Sequence, residues 1–329
     1  MKSLDFQKSP EEWVRQLQMA QDVSDRADAA VALGAIKDNA SVTSALGDAA
    51  RHDSFWGVRE EAMRALGRVN TPAARTQIVD SLSNEQPWVR AFAVTQLGRF
   101  KDDDGVSKRL EAIYKDDKAY SVRGAALQSL AQMKARGAGG LLEKAVSTDS
   151  PGDTLRIAAL RGMGSLDDER IVSTLMEWSA PGRASNLRSI AISSLANLDK
   201  KNHDITARLI SYLADPSFDI RFSTTFALGR RGDATAIGPL QELVKSGKLS
   251  LSMPHRVEQL IEDLKAANAP KKENAATDQK PADSVASSNQ AVASNQAVLD
   301  RLDRLEHQMT DISAQLQKIE STLSPGKSD

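Results

Sequence analysis

The chain has 329 residues, with 43 Lys plus Arg against 44 Asp plus Glu, so its net charge is close to zero. That balance argues against a nucleic-acid or anionic-membrane partner, which needs a basic surface. Cysteine is absent, which excludes a disulfide framework and any thiolate site.

The first segment, residues 1–8, reads as extended. Met1 to Trp13 carries no apolar run, so no signal peptide is visible and a cytoplasmic location is the default expectation. No stretch of about 18 apolar residues exists to span a membrane. Ser9-Pro10-Glu11-Glu12 opens the first helix. Ser9 caps it, Pro10 suits its first position, and Glu12 completes a capping box.

From there an arginine recurs at nearly constant spacing: Arg26, Arg59, Arg90, Arg123, Arg156, Arg188 and Arg221, in steps of 33, 31, 33, 33, 32 and 33. Three residues after each stands a small side chain (Ala29, Ala62, Ala93, Ala126, Ala159, Ala191, Thr224). Seven after stands a large apolar one (Leu33, Leu66, Leu97, Leu130, Met163, Leu195, Leu228). Eight after stands Gly or Ala, read as relaxing the chain near the helix end. Self-similarity at this period predicts an all-α solenoid of about seven helical repeats over residues 9–267. Partner helices show as apolar periods such as Ile78 with Leu82, and Ile237, Leu240, Leu243 and Val244.

Six residues before four of these arginines stand Asp53, Asn84, Asp117 and Asp215. Such residues favour turns and caps. Each arginine is expected to reach back to its own turn carboxylate, building a structural ladder. The alternative is a row of ligand-binding guanidiniums. Gly137 to Gly140 reads as a loop. The last helix, about Pro254 to Ala267, has one apolar face (Val257, Leu260, Ile261, Leu264) and one polar face, as a terminal cap requires.

Residues 268–293 lose Leu, Ile and aromatics and read as a flexible linker. Residues 294–324 then carry Val298, Leu302, Leu305, Met309, Ile312, Leu316, Ile319 and Leu323 in alternating steps of 4 and 3. This heptad seam predicts a coiled coil. Leucines predominate at its a positions and isoleucines at d, which favours a trimer or tetramer. An amphipathic helix folded back on the solenoid is the alternative. Residues 325–329 form a tail.

No constellation for catalysis, metal or cofactor binding is found. The four histidines, His52, His203, His255 and His307, form no His-Glu-x-x-His motif. The acidic pairs Glu60-Glu61, Asp102-Asp103-Asp104 and Asp167-Asp168 read as solvated. The chain is therefore expected not to be an enzyme, and its function is sought on surfaces. Positions five and nine after the arginines should face away from the partner helix: Arg64, Arg68, Arg99, Gln128, Arg161 and Arg230 are candidates for an acidic peptide or a chain carboxylate. Trp56, Trp88, Tyr120 and Phe218 lie at the turns. They either staple one repeat to the next or form a binding edge.

The units Asp53-Ser-Phe-Trp-Gly-Val-Arg59-Glu-Glu-Ala62, Pro87-Trp-Val-Arg90-Ala-Phe-Ala93 and Asp215-Pro-Ser-Phe-Asp-Ile-Arg221 resemble HEAT repeats, including the phycobilisome-lyase-like subtype. The resemblance implies a binding scaffold with a protein or peptide partner, and says almost nothing of which one. A narrower resemblance covers about residues 1–240. Leu4-Asp-Phe-Gln-Lys-Ser-Pro-Glu-Glu-Trp13-Val-Arg-Gln-Leu17, Asp22-Val-Ser-Asp-Arg26-Ala-Asp-Ala-Ala30 and Phe55-Trp-Gly-Val-Arg-Glu-Glu-Ala62 are similar to the C-terminal helical region of bacterial membrane-alanyl-aminopeptidase-type zinc peptidases. That resemblance implies a detached piece of a metallopeptidase, with Lys2 to Phe6 matching the end of a preceding β domain. The catalytic domain and its His-Glu-x-x-His are missing, so no zinc or catalytic residue carries over.

Overall fold

The computed structural model describes residues 8–166, 168–249 and 253–269. Among them run sixteen α-helices: α1 (Pro10–Met19), α2 (Val23–Leu33), α3 (Ala40–His52), α4 (Trp56–Val69), α5 (Pro72–Asp80), α6 (Pro87–Leu97), α7 (Asp104–Asp116), α8 (Tyr120–Gln132), α9 (Ala138–Val146), α10 (Thr154–Met163), α11 (Glu169–Ser179), α12 (Ser185–Leu195), α13 (His203–Ser211), α14 (Phe218–Arg231), α15 (Ile237–Lys245) and α16 (Met253–Ala267). Each odd helix packs on the even helix that follows it, giving eight pairs. From α2 to α14 each even helix also packs on the next even one, so these helices form one continuous layer and the odd helices cover it. The chain is an α-solenoid, and α15 with α16 closes the described part as a pair without a ladder arginine. The extended segment expected for residues 1–8 lies outside the described residues up to residue 7, as does the linker beyond Ala269 and all of the coiled coil.

The repeat pattern is the core. The residues three after each arginine, from Ala29 to Ala191 and Thr224, are fully buried, as are the apolar residues seven after, Leu33 to Leu228. Val58, Val122, Leu155 and Ile220, each just before an arginine, join them. Burying one such large side chain contributes about 1.5–3 kcal/mol, and one helical face carries three core positions per repeat. The small residue between the two large ones sets how closely even helices approach.

The glycines eight after the arginines have a role beyond the one expected. Gly34, Gly98 and Gly164 do stand at the expected helix ends, each as a C-cap, but with right-handed backbone, φ −64°, −59° and −64°, so no left-handed cap forms there. What they supply is room. A Cβ on Gly98 would stand 2.9 Å from Ser129 Cβ and 3.1 Å from Ser129 Cα, and one on Gly164 would stand 3.1 Å from Ser194 Cα. A Cβ on Gly34 would meet the Arg68 guanidinium at 2.7 Å. Gly137 to Gly140 is also not simply a loop. Gly137 takes φ 83° at the N-cap, while Gly139 and Gly140 lie in the first turn of α9, where burial of Leu142, Ala145 and Val146 outweighs glycine's poor helix propensity.

Side-chain caps are found mainly on the odd helices, with Asp22 on α2 an exception and α9 and α15 uncapped. Ser9 makes the expected capping box with Glu12. Asn39, Thr71, Asp103, Asp168 and Asn202 cap α3, α5, α7, α11 and α13 through their side chains. By contrast α4, α6, α8, α12 and α14 have no side-chain cap. In the last pairs two polar residues anchor the turns. Arg231, 2 % exposed, donates to Thr206 Oγ1 at 2.9 Å and to the carbonyls of Leu195, Asp199 and Asn202 at 3.3, 2.9 and 2.8 Å. Asp233 accepts from the Thr235 N–H at 3.0 Å and the Thr235 hydroxyl at 2.7 Å.

Burial alone would raise the Asp233 carboxyl. Hydrogen bonds from Thr235, Thr206 and His203 outweigh it and hold it at about 2. A carboxyl whose folded value lies below its unfolded value stabilises the fold above the unfolded pKa and ceases to do so as pH falls through the folded one. The shift corresponds to about 2 kcal/mol, present at neutral pH and lost between about pH 4 and pH 2. Asp233→Asn is expected to lower the urea midpoint at pH 7 and to show a shallower loss of stability across that acid window than the parent. Equal acid slopes for both chains would contradict this.

Candidate functional site

The arginines do form a ladder, but three of its rungs run between repeats, while Arg156 stays in its own turn as the spacing suggested, with Nη2 on Asp149 Oδ1 at 2.9 Å and Nη1 on Asp153. Arg26 grips Asp53 with two bonds, Nε to Oδ2 at 2.8 Å and Nη2 to Oδ1 at 3.1 Å. Arg90 grips Asp117 likewise, both at 2.9 Å. Arg188 Nη2 reaches Asp215 Oδ2 at 2.6 Å. In each case the carboxylate belongs to the following turn, not to the arginine's own turn as the spacing suggested. From its own turn the arginine takes a main-chain carbonyl instead: Ala20 for Arg26 at 3.0 Å, Asp53 for Arg59 at 2.7 Å, Asn84 for Arg90 at 2.9 Å and Asp215 for Arg221 at 2.7 Å.

The reason lies in the turn. Asp53, Asn84, Asp117 and Asp215 each use Oδ1 to accept the N–H two residues on, from Phe55, Gln86, Ala119 and Ser217, at 2.8–2.9 Å. That Asx turn fixes the side chain. The paired carboxylates are held below their ordinary range. For Asp117 the Arg90 guanidinium dominates; for Asp53 and Asp215 burial pushes upward and the arginine and N–H bonds overcome it.

Three rungs lack a carboxylate among the described residues. Arg123 donates through Nε to the Tyr114 carbonyl at 2.7 Å and lies over the rings of Tyr114 and Tyr120, at 5.6 and 5.1 Å. Arg221 donates through Nη2 to the Lys248 carbonyl at 3.1 Å. Arg59 donates only through Nη1, to the carbonyls of Asp53 and Ser54. The residue that stands where Asp53, Asp117 and Asp215 stand is here Asn84, an amide. Arg59 lies over the Trp88 ring at 5.1 Å and faces a cleft of about 380 Å³ lined by Trp56, Arg59, Gln86 and Trp88. Trp88 donates its indole N–H to Gln86 Oε1 at 2.5 Å.

The aromatic candidates share one position, the first or second residue of an uncapped even helix. Trp56 is 57 % exposed, and Trp88, Tyr120 and Phe218 are 36–40 % exposed. Staple and edge are both visible. Trp88 carries Arg59 of the preceding repeat, whereas Tyr120 and Phe218 carry arginines of their own helices, Arg123 and Arg221. Trp56 packs only against its neighbour Phe55 among the ring pairs of the described residues, at 5.6 Å between centroids. Phe55, 40 % exposed, and Gln86 flank or line the cleft, and the periodicity selected neither. A Phe-Trp pair at an uncapped helix start was the available signal.

The arginine candidates separate into two groups. Arg64 is half-buried, paired with Glu60 and Glu61 and stacked over Phe92 at 5.3 Å, so that acidic pair is engaged rather than solvated. Arg68 and Arg99 are exposed and sit on the glycine floors of neighbouring repeats, against Gly34 and Gly67. Burial against that floor pushes the Arg68 guanidinium down, and the like charges of Arg99 and Arg64 add to the effect, while its outer edge stays exposed. Gln128 and Arg230 are half-buried, Arg230 donating to the Ser193 carbonyl at 3.3 Å, and Arg161 is exposed. Among the described residues no helix is long and apolar enough to cross a membrane.

Residues 43–131 match the family model described as HEAT repeats. The match lies within the solenoid and does not reach the Leu4 to Leu17 stretch that resembles aminopeptidases. No curated protein matches the chain. Among solved structures, the complex of CpcE and CpcF of phycocyanin lyase from Nostoc sp. PCC7120 is 21 % identical, with a TM-score of 0.44, covering 80 % of this chain and 97 % of that one. YibA of Escherichia coli is 17 % identical, with a TM-score of 0.45, covering 75 % and 99 %. Human deoxyhypusine hydroxylase in complex with glycerol is 17 % identical, with a TM-score of 0.36, covering 78 % and 95 %.

Proposed function

We propose that this HEAT-repeat chain is a non-catalytic scaffold that binds a protein partner along its turn edge and is multimerised by its C-terminal heptads. The supporting observation is the cleft at Trp56, Arg59, Gln86 and Trp88, with Phe55 beside it. Tryptophan brings a large, rigid contact area and arginine a planar set of hydrogen-bond donors, and both are enriched at binding hot spots. Arg64, Arg68 and Arg99 lie on the same run of repeats and extend the surface along the even-helix layer; Arg161 and Arg230 lie further along it. The heptads from Val298 to Leu323 support a trimer or tetramer by pattern. Several copies on one assembly raise avidity through effective concentration without a better individual site.

The test is affinity capture from the source lysate with three chains: the parent, the double variant Trp56→Ala/Trp88→Ala, and a chain ending at residue 293. The double variant is expected to keep its helical circular dichroism and lose the captured partner. The shortened chain is expected to run as a monomer by light scattering and to retain less partner per mole. Capture of the same protein in equal amount by all three chains would sink the reading.

A further inference from the structure

The rung at Arg59 differs from its neighbours in one respect that bears on recognition. Arg26, Arg90 and Arg188 each close on the carboxylate of the next turn, but the matching position for Arg59 holds Asn84. Asn84 keeps the turn, since its Oδ1 accepts the Gln86 N–H at 2.9 Å as the aspartates do for theirs. It brings no negative charge. Among the described residues no Asp or Glu oxygen lies within ion-pair distance of Arg59, although the Asp53 carboxylate feels its charge from further off, and its hydrogen bonds run from Nη1 alone, to the carbonyls of Asp53 and Ser54. Of the other rungs without a carboxylate, Arg123 is enclosed by two tyrosine rings and Arg221 places Nη2 on the Lys248 carbonyl. Among the described rungs, a missing carboxylate coincides with an aromatic cleft at Arg59.

The geometry points to a specific occupant: a partner's Asp or Glu carboxylate that completes the open rung on Arg59, flanked by apolar side chains seated between Trp56 and Trp88. This rests on the reading of the turn edge as a protein-binding surface and deepens it. The ladder itself displays the chemistry, because Arg26 and Arg90 show a guanidinium of this same setting taking a carboxylate with two parallel bonds. The indole side chains of Trp56 and Trp88 line the cleft and offer apolar surface to flanking groups. The partner segment is therefore acidic and apolar by turns.

Fluorescein-labelled peptides of alternating leucine and aspartate, and the same peptides with asparagine for aspartate, are titrated against the full chain by anisotropy. The aspartate peptide is expected to bind, and the asparagine peptide at least tenfold more weakly. Arg59→Gln should reduce aspartate-peptide affinity at least tenfold. Asn84→Asp supplies the carboxylate from within the chain, so it should compete with the peptide, weakening it at least tenfold while raising the melting temperature. If Asn84→Asp leaves peptide affinity unchanged, or the asparagine peptide binds equally, the open-rung inference is overturned. A lysate partner lost on Trp56→Ala/Trp88→Ala but retained on both Arg59→Gln and Asn84→Asp would also overturn it, while leaving the turn edge as the binding surface.

Discussion

Replacing Arg188 by leucine is expected to cost about 3–5 kcal/mol of stability. Arg188 and Asp215 are the most enclosed ion pair among the described residues, their side chains 7 % and 6 % exposed. Removing the guanidinium leaves Asp215 in its turn with the Ser217 N–H but without its principal counter-charge, at a site where burial already disfavours the carboxylate. It also removes the donor to the Ser179 carbonyl, at 3.0 Å, and the cation over the Tyr212 ring, at 5.6 Å. An uncompensated buried charge is costly even where the intact pair contributes little net. Urea unfolding at pH 7 reads the effect directly. Arg170→Leu, at the exposed pair with Asp168, should leave the midpoint within experimental scatter. Equal midpoints for the two variants would contradict the structural role of the rung.

The second large effect is expected at Gly98. Gly98→Leu should destabilise by about 3 kcal/mol, the upper part of the usual cost of overfilling a packed interior. Its Cβ alone would fall 2.9 Å from Ser129 Cβ, and that side chain is fixed by its hydroxyl bond to the Val94 carbonyl at 3.0 Å. Relief requires α6 and α8 to separate, which opens the layer. Gly140 lies in α9, and a Cβ added there would meet nothing within 4 Å. Gly140→Ala should therefore be neutral, or stabilising by about 0.4–1 kcal/mol through the unfolded chain. A Gly98→Leu chain as stable as the parent would mean that the even helices are not in close contact there.

Much of this was legible in the residues. The period of the arginines, with small and large apolar partners at fixed offsets, is a one-dimensional record of one helix face repeated. It therefore gave the layer and its core correctly, from Ala29 and Leu33 through to Leu228. Relations between repeats were harder to read. Whether Arg26 meets Asp53 or a residue of its own turn depends on the pitch with which one pair stacks on the next, and no offset within a repeat encodes that. The same holds for the glycines: Gly98 does end α6, but its packing role shows only when Ser129, in the next even helix, is seen to occupy the space its Cβ would need. Trp56 and Trp88 stood out by type, but the cleft they line also takes in Gln86, and the open rung beside it rests on the amide of Asn84, both of which a search for repeated features passes over.

The most direct measurement is urea unfolding of a series in which each ladder arginine is changed singly to glutamine. Midpoints should fall furthest for Arg188→Gln, Arg90→Gln and Arg26→Gln, which lose a carboxylate partner in the next turn, and least for Arg59→Gln, whose rung is open. Equal losses at all seven positions, or a loss at Arg59 matching that at Arg188, would contradict a spine built from carboxylate rungs with one left open for a partner.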